Sequence, residues 1–259
     1  MKQRIPTRYI PWLALGFGLV GLMLMTAMYT LCVDDRGLLI QGNPFYPAAW
    51  GVITLAALVL ALALRPLGGN NVYGYNFWPS IPAALGAVLA AAGILATVLD
   101  PSSYPQDRLT LLWQLSGYLA AAGLTAAGIC RWRGKQPFLL MYAAVCLFFA
   151  LHLGNQYRIW SGNPQTPEYS FQLLACIFVM LFGYYQTAFA AGSGKRRAQL
   201  FTSLMGFCLC CTALARTETR WLYLGCALWM LADRCTMSPP RRRHGEQASH
   251  GTKPPEEVA

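Results

Sequence analysis

The chain has 259 residues, 56% hydrophobic and only 12% charged, about half the charged fraction of a soluble domain. Its net charge is +10, and the charges are clumped: 25, 28 and 34 uncharged residues separate Arg8 from Asp34, Arg36 from Arg65, and Arg65 from Asp100. About 20 apolar residues cross a bilayer as a helix, so the composition argues against a water-soluble domain and for an all-α, polytopic integral membrane helix bundle.

Lys2, Arg4 and Arg8 precede an apolar run from Ile10 to Val33. That run is longer than a signal-peptide core, no A-x-A site follows it, and Leu31 before Cys32 does not suit lipoprotein cleavage, so a retained first membrane helix is expected. Apolar runs read against turn residues then give spans at Pro11–Val33, Ala48–Leu64, Ile81–Leu99, Leu109–Cys130, Pro137–Gly154, Phe171–Ala191, Leu200–Ala215 and Trp221–Met237. These are eight transmembrane helices in four hairpins. Because Trp221 to Ala232 is only 12 apolar residues, six helices plus a re-entrant hairpin is the alternative; a last helix that continued would carry Asp233 and Arg234 to the headgroups. Residues 1–10 form a basic cytoplasmic N-terminus, 11–237 a single transmembrane domain, and 238–259 a polar basic tail expected to be disordered.

Orientation follows from Lys and Arg, which are retained on the cytoplasmic side. With the N-terminus inside and eight crossings, 15 of the 20 basic residues are cytoplasmic and both termini are in; an odd number of crossings lowers the contrast to 10 against 8. Tryptophans agree with this topology, with Trp12, Trp78 and Trp132 near inner ends, and Trp50, Trp113, Trp160 and Trp221 near outer ends. No outer loop carries a glycosylation sequon, and a bacterial plasma membrane is the expected compartment. The G-N-P-x-x-P pattern at Gly42 recurs at Gly162, but tight turns select these residues in any case.

Ala83, Gly86, Ala87, Ala90 and Ala91 form a small-residue stripe, matched by Ser116, Ala120, Gly123 and Ala127, which predicts a tightly packed central hairpin of the third and fourth spans. Gly16, Gly18 and Gly21 predict a helix contact on the first span. No Asp, Glu, Lys or Arg lies mid-span, which argues against a proton pump or voltage sensor. Polar residues gather instead toward the outer leaflet: Gln114, His152, Asn155 and Gln172, followed by Arg158 in the adjoining loop. With Asp34, Asp35, Asp100, Asp107 and Glu168 they form a candidate outward-facing polar cup for a small polar or anionic ligand, in which His152 and Arg158 supply hydrogen bonds and charge. Capping and headgroup solvation are the competing explanation.

Cys208, Cys211 and Cys226 could approach one another, but no His, Asp or Glu completes a metal set in those spans, so neither a metal site nor another cofactor is expected. There is no catalytic triad, HExxH or phosphate-binding glycine loop. Arg241, Arg242 and Arg243, close behind the last span, are expected to contact anionic lipid rather than nucleic acid. Three function classes remain. The first is a non-enzymatic accessory or interaction subunit contacting another membrane protein or lipid, the second a small-molecule permease or membrane binding protein, and the third an intramembrane enzyme, for which no catalytic group is evident.

Overall fold

The computed structural model describes residues 9–32, 43–65, 73–100, 107–160, 169–216 and 219–237. Among these residues the protein is all-helical, without strands. The helices are α1 (Ile10–Leu31), α2 (Phe45–Leu64), α3 (Tyr73–Asn76), α4 (Ile81–Leu99), α5 (Arg108–Trp132), α6 (Leu139–Trp160), α7 (Ser170–Ala190), α8 (Arg196–Ala213) and α9 (Arg220–Cys235). Apart from the one-turn α3, each corresponds to one of the eight expected spans. Five of them, α1, α2, α4, α6 and α7, are long and apolar enough to cross a membrane.

Local chemistry sets several helix ends. Ser80 Oγ accepts from the Ala83 amide, with Pro82 in the first turn of α4, and Asp107 caps α5 through the Thr110 amide. The α5–α6 turn needs Gly134, whose φ of +68° is a left-handed conformation that other residues adopt at a cost, and Lys135 then donates its amide to the Cys130 carbonyl.

Helices α4 to α9 form a ring in which each packs on the next, and α9 closes it against α4. The hairpin α1–α2 lies outside the ring against α8. Helix α8 is therefore the most enclosed element, with fifteen of its eighteen residues buried. Residues 200–237, expected to form the weakest pair of spans with a re-entrant hairpin as alternative, form α8 and α9, and neither is among the five helices long and apolar enough to cross a membrane. Helix α8 is short and comparatively polar, as suits an element that faces protein on several sides, whereas α9 keeps Trp221, Leu224 and Leu228 exposed on its outward face.

The third and fourth spans do pack closely, with Gly128 against Ala84 and Ala87, yet the small-residue stripe of α4 makes its tightest approach to α9. A methyl group added to Gly93 would lie 2.5 Å from the Trp221 carbonyl oxygen, one on Gly225 2.5 Å from that of Leu89, and one on Gly86 3.0 Å from Trp229 Cα. In α1, Gly18 and Gly21 meet Cys211 and Thr212 of α8, whereas Gly16 faces open space.

Contacts along the ring place the starts of α4, α6 and α8 and the ends of α5, α7 and α9 together. Pro79 meets Gly134, Gln136 donates to Ala190 O, and Arg131 reaches Asp233. At this end lie Arg65, Arg131, Arg133, Lys135, Lys195, Arg196, Arg197 and Arg234, against four basic residues, Arg108, Arg158, Arg216 and Arg220, at the other, counted among the described residues. Large apolar side chains such as Leu55, Leu58, Leu62, Leu111, Leu115 and Leu119 are exposed on the outward helix faces, as a bilayer would require.

Candidate functional site

At the less basic end of the ring, the sequence-predicted polar residues separate into an inside and an outside group. His152 and Asn155 of α6 and Gln172 of α7 are buried in the ring, Gln114 of α5 is half-buried, and Arg158 is exposed. Arg158 Nη2 lies 2.7 Å from Asp107 Oδ2, so its charge is engaged at the rim with the residue that caps α5. That hydrogen bond, followed by the Thr110 amide, holds the Asp107 carboxyl below its usual range. Asp34, Asp35 and Glu168 of the expected cup, and the lipid-contact candidates Arg241, Arg242 and Arg243, lie outside the described residues.

Inside, the rings of His152, Trp113 and Phe148 are mutually near-parallel at the corners of a triangle, with His152 5.8 Å from Trp113 and 5.7 Å from Phe148, and Trp113 6.1 Å from Phe148. Trp113 is thus a wall of the ring interior. Its position near a helix end had suggested a ring at the membrane interface, but the α5–α6 contact turns it inward. The Cys146 thiol donates to Met180 O, and this register of α6 on α7 brings Asn155 to the level of Gln172. Tyr223 of α9 donates to the Gln172 carbonyl at 3.4 Å and also meets the Cys176 thiol, and Thr219, the residue before α9, lies one turn ahead of Tyr223.

Both side-chain amide atoms of Asn155, Gln172 Nε2 and Thr219 Oγ1 are buried and find no hydrogen-bond partner among the described residues. Such groups cost roughly 1–3 kcal/mol each when left unmatched. Donors and acceptors so placed can hold a polar ligand or ordered water. At the same end, Arg216 donates to the Tyr169 hydroxyl at 2.9 Å with its guanidinium 4.1 Å above the same ring.

The basic end carries a second polar cluster that sequence reading missed. Arg131 Nη2 lies 3.1 Å from Asp233 Oδ1, Gln186 Nε2 donates to Asp233 Oδ2 at 2.8 Å, and Gln199 lies within reach of the same carboxylate. Arg131 also donates to the Tyr73 hydroxyl and Thr236 Oγ1, with its guanidinium 4.1 Å over the Phe77 ring. Asp233 and Arg234, which a continuing last helix would have carried to the headgroups, are instead 4% and 9% exposed, because α5, α7 and α8 surround this end of α9. The available signal was Gln186, a second amide in the same span as Gln172, together with Asp233 two residues before the end of the last helix.

Between the two clusters the ring is filled by Tyr142, Val145, Val179, Phe182 and Trp229, with Phe182 and Trp229 edge to face at 4.7 Å. All nine cysteines are unbridged, and no group of three His, Cys, Asp or Glu among the described residues is arranged to hold a metal ion. Cys208 donates its thiol to Ala14 O, serving the α1–α8 contact. No family model matches the chain, and neither a curated protein nor a solved structure matches it significantly.

Proposed function

We propose that the chain is a non-enzymatic small-molecule permease or membrane binding protein. In this reading it crosses a bacterial plasma membrane eight times, keeps both termini in the cytoplasm, and receives its ligand at the outer end of the α4–α9 ring. One observation carries the reading: polar side-chain atoms of Asn155, Gln172 and Thr219, on three helices or helix ends of the ring, are buried without a hydrogen-bond partner among the described residues. The excess of basic residues at the opposite end supports a cytoplasmic placement for that end, where exposed Arg65, Arg133, Lys135, Lys195 and Arg197 would meet anionic lipid. A thermal-shift screen of solutes on the purified protein in nanodiscs tests the reading. A hit should be lost in His152→Ala and Asn155→Leu while the folded protein is retained; a hit indifferent to both variants, or no hit across a broad solute set, counts against it.

A second reading, an accessory subunit, draws on the α1–α2 hairpin, which packs outside the ring and exposes Leu13, Leu19, Val20 and Met23 beside Leu55, Leu58 and Leu62. Native mass spectrometry of the protein purified gently from its host separates the two. A stoichiometric membrane partner supports the subunit, and solute transport by the isolated chain rules it out as the whole explanation.

A further inference from the structure

Resting on the outer-site reading above, we infer that the ligand of this site is a small, planar, uncharged molecule bearing both hydrogen-bond donors and acceptors, of the carboxamide class. The unmatched atoms are of both kinds: Asn155 Nδ2 and Gln172 Nε2 donate, Asn155 Oδ1 accepts, and the Thr219 hydroxyl does either. An anion, which only accepts, leaves Asn155 Oδ1 facing negative charge; a cation, which only donates, leaves two amide N–H groups facing positive charge. A carboxamide matches both kinds in one plane.

Charge distribution gives the same answer independently. The buried charged residues among those described, Arg131, Arg196, Asp233 and Arg234, are all at the opposite end of the ring. At the outer end, Asp107 and Arg158 hold each other on the exposed rim, and Arg216, whose Nη1 is buried, is engaged by the Tyr169 hydroxyl and ring. An ion at the level of Asn155 and Gln172 would therefore lose its hydration with no buried counter-charge beyond that already engaged guanidinium. His152 lies on the same face of α6 as Asn155 about one turn away, and its ring is nearly parallel to those of Trp113 and Phe148, so an aromatic cluster adjoins the polar group.

Two isosteric series test this: acetamide, acetate and acetamidinium, and benzamide, benzoate and benzamidinium. Saturation-transfer NMR on the purified full chain reads weak binding through their carbon-bound protons. The expected result is binding of the amides alone, about tenfold weaker in Asn155→Leu and in Gln172→Leu, with unfolding temperatures showing that both variants fold. Binding of acetate, benzoate or either amidinium that depends on Asn155 overturns the inference but leaves the site standing. An Asn155-dependent hit elsewhere in the solute screen, with both amides silent, has the same meaning. Absence of any Asn155-dependent binding overturns inference and site together.

Discussion

Arg131 of α5 and Asp233 of α9 meet at 3.1 Å with both side chains about 5% exposed. The pair joins α5 to α9, and Gln186 adds α7 through the second carboxylate oxygen. Burying two charges is costly, and removing one partner leaves the other uncompensated. Arg131→Ala or Asp233→Ala should therefore lower stability by about 3–5 kcal/mol, seen as a marked drop in unfolding temperature in detergent. The double variant Arg131→Met with Asp233→Leu should recover much of that loss. If either single variant unfolds like the wild type, the pair is not holding the ring closed.

The outer site predicts the opposite sign. Asn155→Leu replaces an unmatched buried amide by an apolar group of similar size, so in the absence of ligand it should raise stability by roughly 1–3 kcal/mol. A loss of stability at Asn155 would instead mean that the amide is satisfied in the membrane by a structural partner, and the case for a ligand there would fall.

Close backbone approach between α4 and α9 makes Gly93 and Gly225 intolerant of side chains. Gly93→Ala should cost about 1–3 kcal/mol because the added methyl meets a carbonyl oxygen that belongs to the backbone and cannot rotate away. Gly16→Ala, whose methyl meets nothing, should be neutral or slightly stabilising through helix propensity. Unfolding temperatures of the two variants, measured side by side, check the contrast.

At the rim, Asp107 is held below its usual range first by the hydrogen bond from Arg158 and then by the Thr110 amide. A depressed carboxyl stabilises the fold above the unfolded Asp value of about 3.9 and loses that contribution as pH falls through the lower folded value. The contribution is small at an exposed site. In Asp107→Asn, which keeps a capping side chain, the acid limb of the stability profile should flatten, and Arg158→Gln should flatten it similarly; an unchanged profile in both would show that the ion pair does not persist in solution.

Much of the architecture was legible locally. Each long helix corresponds to an apolar run bounded by turn residues, and caps such as Ser80 and Asp107 were present in the sequence. His152, Asn155 and Gln172 were legible as polar residues near span ends, but their burial was not. The same pattern fits a side chain reaching headgroup water, and only the packing of α6 against α5 and α7 distinguishes the two. Arg158 was chosen by the same reasoning and lies on the outer rim, because its register on α6 carries it past the last enclosed turn to Asp107.

The sequence by itself determined where the chain is helical, that five of its helices are long and apolar enough to cross a membrane, and which loops are basic, since helix length and charge clustering are properties of neighbouring residues. Tertiary structure alone decided which polar groups are enclosed. Closure of α9 on α4 puts the short, polar α8 and α9 among protein neighbours and sets Asp233 against Arg131 and Gln186. Enclosure depends on helices distant in the chain, and a buried charge is tolerable only where such partners converge.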